Sequence, residues 1–78
     1  VKTTRYFDAS RVRPDRADIE MAWIERAVRH PIREVIQSDG RIRRWASVPE
    51  ADSRILRVAL LEDGETVHNA FFDRRFMP

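Results

Sequence analysis

Arg54-Ile55-Leu56-Arg57-Val58-Ala59-Leu60-Leu61-Glu62-Asp63-Gly64-Glu65-Thr66-Val67-His68-Asn69-Ala70-Phe71-Phe72 decides the fold. Two runs rich in branched aliphatic and aromatic residues flank an Asp-Gly pair, a strong hairpin signal because glycine accepts the positive φ that the turn demands. With Asp63-Gly64 as a two-residue turn, Glu62 faces Glu65, and counting outward pairs Leu60 with Val67, Val58 with Asn69 and Leu56 with Phe71. Side chains alternate across a strand, so these pairs make one nearly dry face. The opposite face carries Ile55, Arg57, Ala59 and Leu61 beside Thr66, His68, Ala70 and Phe72. It is apolar, with Arg57 diagonal to His68. A bulge would slip one strand by a residue and exchange its faces.

The same grammar occurs upstream. Ile32 to Gln37 and Arg41 to Val48 flank Ser38-Asp39-Gly40, so the two glycines of the chain both fall in hairpin turns. Between the hairpins, Pro49-Glu50-Ala51-Asp52-Ser53 is acidic and led by proline, as befits an exposed loop. Ahead of them, Asp15 and Asp18 approximate a capping box and predict a helix starting near Asp15. At 100° per residue Ile19, Met21, Trp23, Ile24, Ala27 and Val28 share one broad arc, and Pro31 stops the helix after the cations Arg29 and His30. Residues 2–7, β-branched and aromatic, read as a short strand whose place in the sheet stays open. The expectation is a single α+β domain over residues 1–78, with one amphipathic helix packed on one face of an antiparallel sheet of two hairpins and an added N-terminal strand. Trp23, Ile24, Ala27 and Val28 are expected above Leu56, Val58 and Phe71.

A 78-residue domain hides only about 60% of the surface of its unfolded chain, so the core is thin and a homodimer or partner is one way to complete it. Without cysteine there is neither a disulfide framework nor a thiolate metal site, and the chain suits a reducing cytoplasm. No apolar run exceeds four residues, the length of Val58 to Leu61, which is too short for a membrane span or a secretory segment, so a membrane partner is not expected. Net charge is only +2, but residues 32–49 carry +2 and residues 50–65 carry −3, so the basic character is local. Fourteen of the fifteen basic residues are Arg, which grips phosphate or carboxylate through two parallel hydrogen bonds where ammonium offers a point charge.

Arg41, Arg43, Arg44 and Trp45 combine guanidinium with indole, which suits phosphate contact with base stacking. The same residues suit a strand with Trp45 in the core and the arginines in water. Arg57 and His68 are able to address one anion, or Arg57 lays its stem along the sheet and His68 is a half-exposed strand residue. Arg54 is expected opposite Asp73 as a cross-strand ion pair, leaving Arg74 and Arg75 free. Two glycines cannot build a phosphate loop, His30 and His68 lack partners for a metal, and no serine has a nucleophile's setting, so no cofactor is expected.

Trp23-Ile24-Glu25-Arg26-Ala27-Val28-Arg29-His30-Pro31, Asp39-Gly40-Arg41-Ile42-Arg43-Arg44-Trp45 and Leu56-Arg57-Val58 with Asp63-Gly64 and Thr66-Val67, at these intervals, resemble a family of short bacterial proteins of unknown function. That family is similar to the RelE/ParE superfamily of toxin–antitoxin toxins, and the resemblance covers roughly residues 16–76, a span judged from the pattern of apolar periodicity. It implies a helix-on-sheet domain, normally covered by an antitoxin protein, whose open face cleaves mRNA on the ribosome or binds DNA gyrase. RelE-like cleavage is metal-independent, the ribose 2′-OH attacking its own phosphate with a proton acceptor, a proton donor and cations. On this sequence it implies His68 as acid or base and Arg57 with Arg74 or Arg75 as phosphate clamps, with His68 and Arg57 the catalytic residues; Arg43 and Arg44 of the cluster above join Arg74 and Arg75 as candidate RNA or phosphate contacts. RelE-like toxins commonly add lysines, or a tyrosine or histidine near the C-terminus; here the C-terminal aromatic is Phe76, which transfers no proton. ParE-like protein binding, with no catalytic set, is the alternative.

Overall fold

A computed structural model describes residues 1–77. Both hairpins form. Strands β2 (Arg33–Ile36) and β3 (Ile42–Val48) are antiparallel, as are β4 (Arg54–Leu60) and β5 (Thr66–Phe72), and β3 also pairs antiparallel with β4. Gly40 and Gly64 sit at φ +89° and +69°, as the Asp-Gly reading requires. The loops are longer than two residues. Gly40 N–H donates to the Gln37 carbonyl and Gln37 N–H to that of Arg41, while Gly64 N–H donates to Leu61 and Leu61 N–H to Thr66. Asp63 stiffens the second loop by accepting from the backbone N–H groups of Glu65 and Thr66 and from the Thr66 hydroxyl.

The N-terminal segment departs from the expected strand over residues 2–7. Only Lys2–Thr3 is extended, forming β1, and it runs parallel to β5 at Thr66 and Val67. The sheet is therefore mixed, in the order β1-β5-β4-β3-β2. Thr4 ends the strand by capping a helix: its hydroxyl accepts from Phe7 N–H at 3.1 Å, and α1 (Arg5–Ser10) follows with Phe7 in the core. A local side-chain cap at Thr4 outweighs the β propensity of Tyr6 and Phe7.

The predicted helix start at Asp15 is also corrected. Pro14 opens a four-residue helix, α2 (Pro14–Ala17), and the chain then turns at Asp18 so that Ile19 enters the core from a loop, only 1% exposed. The main helix α3 (Met21–Arg29) begins after Glu20, and no side chain caps it there. Its stop before Pro31 is as expected. Arg44 donates to the Val28 carbonyl at 2.8 Å, satisfying a group the last turn leaves open. Arg26 forks onto Glu50 at 2.9 and 2.7 Å, joining α3 to the 3₁₀ turn Pro49–Ala51 and holding the Glu50 carboxyl at about 2.

All three helices pack on the sheet. Phe7, Ile19, Ile24 and Ala27 meet Ala46, Val48, Leu56, Val58, Leu60, Val67 and Ala70, with Met21, Trp23, Val28, Ile42 and Phe72 partly buried around them. Leu60 opposes Val67, as counted from the turn. The register then slips at His68: Ala59 faces Asn69, Val58 faces Ala70, Arg57 faces Phe71 and Leu56 faces Phe72. The bulge exchanges the faces beyond it, so Phe72 rather than Phe71 lies under the helix, 6.3 Å from the Trp23 ring.

Candidate functional site

Opposite the helices, the registers place Arg33, Trp45, Arg57 and Phe71 side by side across β2, β3, β4 and β5. Neighbours in such a row are close enough for their side chains to touch. Guanidinium and ring alternate along it. Arg57 lies 5.9 Å from the Trp45 ring and 5.1 Å from that of Phe71, while Arg16 of α2 lies 5.2 Å from the other flank of Phe71. Phe76, returning after β5, tilts over Trp45 at 5.5 Å, and Arg33 covers Phe76 at 4.7 Å. Trp45 is consequently only 7% exposed although no helix covers it. Each cation over an aromatic face contributes about 0.5–2 kcal/mol, depending on its desolvation.

Asp73 holds this arrangement in place. Its carboxylate accepts from Trp45 Nε1 at 2.9 Å and from Arg75 N–H at 3.0 Å, and the indole hydrogen bond first, then the backbone and Arg57, keep its pKa below the ordinary carboxylate value. The expected Arg54–Asp73 ion pair is therefore replaced: Arg54 donates to the Ala51 carbonyl and stacks 4.0 Å from the Phe72 ring. Arg57 is the least satisfied member of the row. Its Nε is buried with no hydrogen-bond partner, and among the described residues no carboxylate lies within ion-pair distance of it. Burial, then the neighbouring Arg43 charge, lowers its pKa against the opposing pull of Asp73.

The residues singled out in the sequence part company here. His68 occupies the bulge, stacks on Tyr6 of α1 at 4.8 Å, and shares a 3.0 Å hydrogen bond between its Nδ1 and the Thr4 hydroxyl. Among the described residues none of those groups hydrogen-bonds to Arg57, whose guanidinium lies against the rings of Trp45 and Phe71. Arg43 lies against the side-chain amide of Gln37 on the first hairpin. Arg44 belongs to the helix side, where Glu34 at 2.6 Å and the Val28 carbonyl occupy it. Arg74 and Arg75 are exposed just after β5.

Arg33, Arg16, Phe71 and Phe76 were missed by the sequence reading. Arg33 carried a signal, because counting outward from the first turn sets it opposite Trp45. Arg16 did not: it reaches Asn69 across 53 positions of sequence. Among the described residues no three His, Asp or Glu side chains converge as metal ligands, and no helix is long and apolar enough to cross a membrane. No family model, no curated protein and no solved structure matches the chain.

Proposed function

We propose that the open sheet face binds single-stranded RNA and that the chain is the toxin of a bacterial toxin–antitoxin pair, an acidic antitoxin covering the same face at rest. Arg57 carries the proposal: a cation at the centre of the row, with a buried Nε lacking an acceptor and, among the described residues, no carboxylate in ion-pair reach. That Nε is closed to solvent, so a phosphate meets the guanidinium at its terminal nitrogens, which carry no hydrogen bond among the described residues, and supplies the opposing charge. Arg33 and Arg43 extend the positive track, and the half-buried rings of Phe71 and Phe76 offer edges and faces to bases. Replacing Arg57 by Gln should weaken binding of a short single-stranded RNA about tenfold and reduce the slope of log K against log salt by about 0.7, one phosphate contact's share. Unchanged affinity in fluorescence anisotropy, with the variant folded, would overturn the assignment.

His68 favours a second reading. Cleavage through the ribose 2′-OH requires groups that accept and donate protons beside the clamped phosphate. The imidazole instead lies with Tyr6 and Thr4, away from the neighbours of Arg57. On this reading the face binds its partner without chemistry, in the ParE-like manner, and growth arrest on induction proceeds with transcripts intact. Mapping RNA ends after induction separates the two readings: new cuts that vanish in His68→Ala establish cleavage, and intact transcripts remove it.

A further inference from the structure

The row of the open face does not end at Phe71. Beyond it the surface falls into a groove of about 400 Å³, where Arg16, Arg54 and Arg74 meet Phe71 and Phe72, with Asp15 and Asp18 on the α2 side. A smaller depression of about 200 Å³ adjoins it and shares Arg54, Phe72 and Arg74. The sheet face and the groove are thus joined through Phe71, which is stacked by Arg57 from one and by Arg16 from the other.

Two of the three guanidinium groups are held in position. Arg54 lies 4.0 Å from the Phe72 ring centre and donates through Nε to the Ala51 carbonyl at 3.1 Å, which leaves its two terminal nitrogens without an acceptor among the described residues. Arg16, with a side chain only 13% exposed, is fixed by Asn69 at 2.5 Å and by Asp15 at 3.3 Å. Holding a guanidinium by its Nε edge and one face while its terminal fork stays open is the arrangement that receives two oxygens of one phosphate at low entropic cost. Arg74, exposed between the two depressions, supplies a second cation.

The acidic residues define which phosphate fits. Arg16 neutralises Asp15, but among the described residues Asp18 has no ion-pair partner. A nucleic-acid strand running on past Arg54 toward α2 would bring its next phosphate against that carboxylate, whereas a strand that ends at Arg54 would not. A terminal phosphate also carries more negative charge than an internal diester and matches the pair Arg54 and Arg74. We infer that the groove receives the terminal phosphate of an RNA strand whose body lies on the open face. This rests on the RNA-binding reading above and adds an end preference to it.

The test uses the full chain and six-nucleotide single-stranded RNAs of one sequence bearing a 5′-phosphate, a 3′-phosphate or hydroxyls at both ends. One of the two phosphorylated RNAs should bind at least about tenfold more tightly than the hydroxyl-ended one, as a charge-assisted bidentate contact implies. Which one does so identifies the polarity of the bound strand. In Arg54→Gln, and separately in the surface variant Arg74→Gln, that ratio should fall toward one. Equal binding of all three RNAs, or a ratio that survives in both variants, overturns the terminal-phosphate site while leaving the RNA reading in place. If no RNA binds, the RNA reading fails, and a titration of isotope-labelled protein with inorganic pyrophosphate decides the groove by itself. A saturable shift of the Arg54 Nε–H signal upholds a phosphate site there, and its absence overturns one.

Discussion

Asp63 shows how much one residue organises. Its carboxylate accepts three hydrogen bonds in the second turn, from the Thr66 hydroxyl, Thr66 N–H and Glu65 N–H in order of effect, and these hold its pKa at about 2, below the ordinary 3.8. A carboxyl whose pKa is depressed by folding stabilises the fold above its unfolded pKa and loses that contribution as pH falls through the folded value. Glu50, brought from 4.5 to about 2 by Arg26, titrates over nearly the same window, and Asp73 is displaced in the same direction. Thermal melts followed by circular dichroism should therefore show stability declining as pH drops from 4.5 toward 2. Asp63→Asn should melt lower at neutral pH and lose less on acidification. An acid profile unchanged by the substitution would show that the turn carboxylate has no part in it.

Among the elements, the hairpin turns owe their shape to two glycines with different surroundings. A Cβ on Gly64 meets nothing closer than 3.8 Å, so Gly64→Ala tests the backbone alone: a left-handed φ of +69° costs an alanine about 1–2 kcal/mol. Gly64→Asn should cost less, because asparagine tolerates that region. At Gly40 an added Cβ comes within 2.7 Å of the Glu62 side chain, whose flexible end has to move aside. Urea unfolding of the three variants should rank Gly64→Asn above both alanine variants. Pro31 and the Asp-Gly pairs marked these boundaries in the sequence because each acts through its own φ or its own missing N–H. The N-terminal helices were not marked in the same way. Thr4 as a cap and the turn at Asp18 compete with strand and helix propensities of similar size, and contacts made by Phe7 and Ile19 in the core tip the balance.

For the molecule as a whole, stability rests on one thin layer between the helical segments and the sheet. Leu56 is fully buried there, and Leu56→Ala should cost about 2–5 kcal/mol, much of what a domain of this size has. By contrast Ile36, 66% exposed on the edge strand β2, should tolerate Ile36→Ser within about 0.5 kcal/mol. Comparable losses at the two positions in chemical denaturation would contradict this division. The hairpins, the end of α3 and the apolar identity of Leu56, Val58, Leu60 and Val67 follow from spacing along the chain, since a turn residue and a period of two act over neighbouring positions only. The bulge at His68 is a different matter. Nothing local distinguishes it, yet it sends Ala70 and Phe72 to the helix side and turns Phe71 outward to Arg57. Arg16 from α2, and Asp73 and Phe76 from the tail returning after β5, then close around that row. An arginine in a strand is visible in the sequence; that Arg57 stands between two rings with a buried donor unspent is decided only when four strands and a returning tail are brought together.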